Sequence, residues 1–390
     1  MSCLVSIKSF FDLTSKISKE EFDIVHLGDE LTESRGRRFW EISKRISSHF
    51  RIALIVPTLA SPTIRKVDRI TVIRVYDPSL RSMYRSRAFR PFLYERILST
   101  LSFRILDEEA APLPTLLHLI EKNISCVLTV HEVRGLLNFH FFGVLGSLPF
   151  LFEKMLKLHL GFSKVISVSK STYHMLLRLG VPNVLIRNGV NTDLFRPIPI
   201  ERQGDAFKVV TVGRLVPQKR HDLFILTAKL ILKEFDKLNI RKPVSFEIIG
   251  NGPLRGKLST IVRNYGLQRH LTISDDISDQ ELVKRLNLAD LYVHTNPYLE
   301  GFGFTVAEAL SCGKPVVAFN IAGINETVDT KCGILVPPFD IKALARNIIE
   351  LLLDEDRRIE MGKAGRERMK REFDWDRPAN EMKKLYQELI

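Results

Sequence analysis

Two carboxylates, Glu300 and Glu308, stand with seven residues between them around a Gly-Phe-Gly turn in the segment Pro297–Gly313. Asp290–Asn296 before it and Lys314–Phe319 after it are apolar, strand-like runs, so the turn joins the carboxyl end of a strand to the start of a short helix. Amides at a helix start lack intrahelical partners, and those of Phe302, Gly303 and Phe304, continuing to Thr305, suit an anion such as phosphate. Gly301 and Gly303 allow a ligand to approach the backbone closely. Acidic side chains beside a phosphate are wasteful unless they accept hydrogen bonds from neutral hydroxyls. A nucleotide-sugar offers a pyrophosphate for the amides and vicinal hydroxyls for the carboxylates.

The elements that must position these groups are short β-branched runs separated by helical periodicity. Phe22–Leu27, Arg51–Val56, Ile70–Val75, Cys126–Val130 and Val165–Val168 read as strands, with helical spacing over Arg38–Phe50 and Ser171–Leu179. After the proline-bearing polar stretch Pro197–Asp205 the pattern restarts at Phe207–Val212 and runs through Phe246–Ile249, Leu291–His294 and Val316–Phe319. The expected architecture is α/β: two doubly wound, Rossmann-like parallel-sheet domains facing across a cleft lined by strand carboxyl ends. The expected division is residues 1–196, a linker at 197–206, and residues 207–376.

Composition fits a globular protein of two ordinary domains. The chain has 390 residues, 45% hydrophobic and 26% charged, which exceeds one core and argues against disorder. Its four cysteines, Cys3, Cys126, Cys312 and Cys332, show no paired spacing, which points away from a disulfide framework and from zinc. Met1–Phe11 has no basic start, long apolar run or small-residue cleavage site, so the expected location is the cytoplasm. Residues 1–200 carry 28 Lys+Arg against 18 Asp+Glu, whereas residues 201–390 carry 30 against 27, so the first half faces something acidic.

Six blocks carry a family resemblance in one order. Val165–Lys170 and Ile186–Phe195 close the first half. Val209–Lys219 holds Arg214 and Lys219 five residues apart, and Phe246–Pro253 forms a second glycine-bearing loop. Pro297–Gly313 follows, then Ala322–Glu326 with Cys332–Pro338. Together they resemble the retaining glycosyltransferases of family 4 (glycosyl transferases group 1), which have the GT-B fold. The resemblance implies transfer of a sugar from a nucleoside-diphosphate sugar, such as a UDP- or GDP-sugar, to a hydroxyl acceptor, with no metal and no further cofactor. It also implies a last helix, Arg377–Ile390, that packs back on the first domain.

By the same resemblance Arg214 and Lys219 bind the diphosphate, Glu308 accepts from ribose hydroxyls and Glu300 from those of the transferred sugar. Gly213, Asn251 and Gly252 belong to the phosphate-side loops, and Ile277 to the base-side loop. His131, in Thr-Val-His-Glu, reaches the donor sugar, with Glu132 as its partner. Breaking the bond from the anomeric carbon to phosphate builds negative charge on the diphosphate, and cations aimed there are the natural catalysts. The sequence departs from the family pattern twice. Gly36 stands alone in Leu31–Arg38, where a glycine pair is usual, and Asp275 takes a common glycine position.

The acceptor is expected to be lipid-linked or part of a cell-surface glycan. Arg81–Arg96 interleaves arginines with aromatics, which suits an anionic membrane surface on the cytoplasmic side. Gly135–Phe152 is apolar, but Asn138, His140, Pro149 and three glycines argue against a spanning helix. Two other readings stand beside this one: the same donor chemistry on a soluble sugar or sugar phosphate, and a catalytically silent nucleotide-sugar-binding protein. No recognition motif points to nucleic acid.

Overall fold

The computed structural model describes residues 20–28, 34–76, 94, 97–109, 123–134, 161–202, 204–275 and 277–390. The chain divides into two compact units, residues 1–188 with 375–390, and residues 189–374.

The first unit is built on an eight-stranded sheet in the order β3-β4-β2-β1-β5-β6-β7-β8. Its strands are β1 Glu21–Leu27, β2 Ile52–Thr58, β3 Thr63–Val67, β4 Ile70–Tyr76, β5 Ser102–Glu109, β6 Ser125–Val130, β7 Lys164–Ser167 and β8 Val184–Leu185. All pair in parallel except β3, which turns back on β4. The β-branched run Ile52–Val56 is buried throughout, as expected for a parallel strand covered on both faces.

The helix Ser34–Ile46 sets Phe39 and Ile42 against this sheet. It begins ahead of the expected Arg38, because Ile46 is the last apolar residue in register and Ser47–His49 turn away before Phe50 packs.

The last helix, Asp376–Leu389, belongs to the first unit. Met382 and Tyr386 are fully buried, and the Tyr386 hydroxyl donates to Asp107 Oδ2 at 2.5 Å. Asp107, at the inner end of β5, also accepts from Thr129 Oγ1 at 3.2 Å and lies 3.7 Å from His26 Nδ1. His26 stacks on Phe39. Burial, with the nearby Arg38 charge, pushes its pKa down to about 3, so this ring is neutral.

The second unit is a six-stranded, wholly parallel sheet in the order β11-β10-β9-β12-β13-β14. These strands are β9 Phe207–Val212, β10 Val244–Ile249, β11 Leu271–Ser274, β12 Leu291–His294, β13 Val316–Phe319 and β14 Gly333–Val336. Counted from β9, this is the 3-2-1-4-5-6 order of a dinucleotide-binding sheet, whose strand order reverses between β9 and β12.

The division between units falls at residues 188 and 189, ahead of the Pro197–Asp205 stretch. Residues 189–196 join the second unit by their hydrogen bonds. Val190 N–H donates to Phe373 O at 2.7 Å, and the Phe195 carbonyl accepts from Ser311 Oγ at 2.6 Å and Arg366 Nη1 at 2.9 Å. The polar, proline-bearing sequence marks where the chain runs over the surface, whereas the boundary is set by where these backbone groups find partners.

Of the basic aromatic stretch Arg81–Arg96, only Tyr94 lies within the described residues, and it is buried in the first unit's core with Ile97 and Leu98. Gly135–Phe152 lies outside them. Among the described residues no helix is long and apolar enough to cross a membrane.

Candidate active site

The reversal point between β9 and β12 gathers the predicted donor-site residues of the second unit. Ligands of open parallel sheets bind outside the strand carboxyl ends at such a point. From β9 the chain runs through Gly213 and Arg214 into the short 3-10 turn Pro217–Lys219 and the helix His221–Lys237. From β12 it runs through Thr295 and Asn296 to Glu300 and then into the helix Phe304–Ser311. Tyr292, fully buried on β12, ties the two sides. Its hydroxyl donates to the Val212 carbonyl at 3.2 Å and shares a second hydrogen bond, 2.8 Å long, with the Thr305 hydroxyl.

At the centre Lys219 Nζ donates to Glu300 Oε1. The same oxygen accepts from Asn296 Nδ2 at 3.0 Å and lies 3.4 Å from His294 Nε2. Burial alone would raise the Glu300 pKa. The Lys219 charge and the hydrogen bonds of His294 and Lys219 outweigh it, and the carboxyl is held far below the usual range. Burial pushes His294 down despite Glu300, so the ring sits neutral beside the ion pair.

His221 opens the helix after Lys219 and is also buried. Burial first and the Lys219 charge second lower its pKa to about 4. Among the described residues Arg214 forms no side-chain pair and is exposed, leaving its guanidinium available to an anion.

The amides of Phe302 and Gly303, and that of Gly301 before them, make no backbone hydrogen bond among the described residues, and Gly303 caps the helix Phe304–Ser311 in the left-handed conformation, φ 80°. The left-handed backbone favours glycine there, and a Cβ would lie 2.5 Å from Ile324 Cδ1, which would have to move aside. Gly323 lets another chain segment close on Glu300 from behind. A Cβ on it would meet the Glu300 carbonyl oxygen at 2.0 Å, while the Glu300 N–H donates to Ala322 O at 3.3 Å.

Phe302 is buried with its ring 5.2 Å from that of Phe304, and its carbonyl accepts from Thr327 Oγ1 at 2.9 Å. Glu308 is buried on the second turn of the helix, near enough to Tyr292 and Cys312 that its charge raises both their pKa values after burial has done so.

The second predicted phosphate-side loop is zipped to the first. Leu215 N–H donates to Asn251 O at 2.8 Å and Leu254 N–H to Leu215 O at 3.0 Å. Asn251 is exposed, its side chain accepting from the Gly252 amide at 2.7 Å. Ile277 packs on the domain core at the β11 end, and Asp275 pairs with Arg255 at 2.8 Å.

Two predicted residues lie in the first unit. His131 follows β6 and is buried, its carbonyl accepting from Thr172 Oγ1 at 3.1 Å. Glu132, read from the sequence as its partner, pairs with Arg134, which the two-residue spacing on an extended segment allows. Gly36 falls in the first turn of the helix Ser34–Ile46 rather than in a loop, so its amide is one of the orphan donors of a helix start.

Sequence reasoning missed His294, Asn296, Tyr292 and His221. Asp290–Asn296 reads as apolar, and its polar members were passed over as strand residues. The rule that singled out His131, a polar side chain closing a parallel strand, applies equally to His294. Among the described residues no three His, Cys, Asp or Glu side chains converge as a metal site. Cys126, Cys312 and Cys332 are buried thiols.

Two family models match in succession. Glycosyltransferase Family 4 covers residues 35–194, and Glycosyl transferases group 1 covers residues 197–368. The GDP-mannose-dependent alpha-(1-6)-phosphatidylinositol monomannoside mannosyltransferase of Mycobacterium tuberculosis is 32% identical over 203 residues, which are 48% of this chain and 51% of that protein. The chain thus spans about half the length of the curated relatives it matches.

Among solved structures, sucrose-phosphate synthase from Thermosynechococcus elongatus superposes with a TM-score of 0.76 at 21% identity, covering 94% of this chain and 99% of the other. Anabaena HepE in complex with UDP-glucose gives 0.67 at 17%, covering 94% and 100%. The fold is GT-B, two Rossmann-like parallel-sheet domains in one chain. The protein belongs to the group 1 glycosyltransferases of family 4.

Proposed function

We propose that the protein is a retaining glycosyltransferase that moves a sugar from a UDP- or GDP-sugar to a hydroxyl acceptor that is lipid-linked or a cell-surface glycan precursor. The observation that carries this reading is the convergence, at the sheet's reversal point, of Lys219 and the exposed Arg214 from one side with Glu300 and the amides of Gly301–Gly303 from the other.

The cations and amides bind the diphosphate. As the anomeric carbon–oxygen bond breaks, negative charge grows on the leaving phosphate, and groups already fixed there stabilise it without reorganising. Glu300, ionised throughout the neutral range, accepts from hydroxyls of the transferred sugar. Glu308 accepts from the ribose. The acceptor hydroxyl attacks on the face that the phosphate leaves, which returns the original anomeric configuration, and the departing phosphate takes the acceptor proton. His131 contacts the donor sugar. The reaction uses no metal, since Arg214 and Lys219 supply the positive charge that a cation would otherwise bring.

The mannosyl relative, named for a phosphatidylinositol mannoside acceptor, supports the lipid-linked proposal. The enzyme then works at the cytoplasmic face of a membrane. A thermal-shift series with UDP, GDP, ADP and their sugar conjugates tests the donor site, because a ligand that binds only the folded state raises its melting temperature. A shift confined to one nucleoside series supports the reading. No shift with any of them overturns it.

A further inference from the structure

Phe339 follows β14 with φ 67°, a left-handed conformation that a bulky residue adopts at a cost, and 48% of its surface is exposed. A strained backbone carrying a large exposed apolar side chain is costly twice over, and such sites are held by their surroundings for a use. Phe339 is held firmly. Tyr298 meets its ring edge-on at 5.7 Å and 81°, and the Arg220 guanidinium lies 5.7 Å from its centroid. Arg220 is itself left-handed, φ 50°, and is clamped to Asp222 by two hydrogen bonds of 2.9 and 2.8 Å.

This cluster is continuous with the ion pair. Arg220 directly follows Lys219, and the Tyr298 amide donates at 3.0 Å to the same Asn296 that donates to Glu300. Along the carboxyl rim of the sheet, β11 stands at one edge and β14 at the other, with the β9–β12 reversal between them. If the base lies toward Ile277 and the diphosphate at Arg214 and Lys219, the β14 edge lies at the sugar end.

We propose that Phe339, braced by Tyr298 and Arg220, is a stacking platform for the apolar face of a pyranose ring whose hydroxyls are bound beside it at Glu300. This rests on the donor-site reading above. A hexose presents C–H bonds on its face and hydroxyls at its rim. A rigid exposed aromatic ring adjoining a carboxylate and an amide complements both. The pyranose is supplied either by the donor's transferred sugar or by a saccharide acceptor.

Calorimetric titrations of the full chain separate these sources. GDP and UDP are titrated first. The sugar conjugate of the nucleotide that binds follows, and then methyl α-D-mannopyranoside is added to the nucleotide-loaded protein. In Phe339→Gly the free nucleotide binds as in wild type and the melting temperature does not fall, since glycine relieves the left-handed strain. If the platform holds the donor sugar, the gain in affinity of the sugar nucleotide over the free nucleotide drops about 3- to 10-fold, the range of an aromatic contact. If it holds the acceptor, that ratio stands and glycoside binding weakens by a similar factor. Phe339→Tyr, which keeps the ring, restores either loss. Unchanged sugar-nucleotide and glycoside affinities in Phe339→Gly, or a nucleotide-loaded wild type that gains nothing from either sugar, overturns the platform. Failure of wild type to bind any nucleotide overturns the donor site instead.

Discussion

Lys219 Nζ and Glu300 Oε1 meet where the strand order of the second sheet reverses, one carried by the chain leaving β9 and the other by the chain leaving β12. In the function proposed above, a nucleotide-sugar competes for both partners at once. Its phosphate would draw on the ammonium and its sugar hydroxyls on the carboxylate, so the pair would hold the site in register until the ligand replaced each half.

Lys219→Ala should therefore lower kcat more than it weakens donor binding. The loss of one preorganised cation at the developing charge corresponds to roughly 100- to 1,000-fold in kcat. Steady-state kinetics of donor consumption, with affinity measured separately, check the split. An unchanged kcat would place the phosphate elsewhere.

Glu308→Gln keeps the buried volume on the helix Phe304–Ser311 and removes the charge proposed to accept from ribose. Nucleotide affinity should fall about 10- to 100-fold, equivalent to a charged hydrogen bond of roughly 1.5–3 kcal/mol, with UDP or GDP alone as the probe. If 2′,3′-dideoxy nucleotides lose the same factor in wild type but nothing further in the variant, the ribose assignment holds.

Gly303→Ala should destabilise the second unit by about 1–2 kcal/mol from the left-handed backbone alone. The clash with Ile324 adds to this unless its Cδ1 can turn aside. Urea unfolding reads the stability and nucleotide titration the site. Loss of binding beyond the loss of stability would show that the amide turn itself contacts the ligand.

Acid should weaken the fold before any carboxylate titrates. His26, held near 3, and His221, near 4, are neutral when folded, whereas in the unfolded chain they take protons near 6.5. Groups whose folded pKa is lowered contribute stability that is complete above 6.5 and is lost as pH falls through that value toward the folded one. For His221 this is on the order of 3 kcal/mol. Glu300, also depressed, adds its own loss only below 4.5. Melting temperature should drop between pH 6.5 and 4, and His26→Phe should flatten the slope. An unchanged slope would mean that His26 is protonated in the fold.

Much of this was legible in the sequence because parallel strands buried on both faces are continuous apolar runs. Ile52–Val56, Phe207–Val212 and Val316–Phe319 announce themselves that way. β3, with Arg65 and Lys66 on an exposed edge, and β5, ending in Asp107 and Glu108, do not. Partners for such residues can lie far along the chain, as Tyr386 does for Asp107.

Within the site, the glycines and the two glutamates could be read from spacing, since turn geometry and helix starts are local. The pairing of Lys219 with Glu300 and the burial of His294 and His221 arise from sheet order, which joins β9 to β12 across the two strands that intervene in sequence. Phe339 follows the tail block Cys332–Pro338, and nothing in the sequence singles it out. Its left-handed backbone and its contact with Tyr298 exist only in three dimensions.

The role proposed for Lys219, paired with Glu300, is to act on the phosphate of a bound nucleotide-sugar. Its most direct test is release of nucleoside diphosphate from UDP- and GDP-hexoses by wild type and by Lys219→Ala, alongside calorimetric affinity for each donor. Wild type should turn over one donor class, and the variant should still bind that donor but release at least 100-fold less diphosphate in the same time. A variant that turns the donor over at the wild-type rate, or a wild type that binds donors and never consumes them with any hydroxyl acceptor or water, would contradict it.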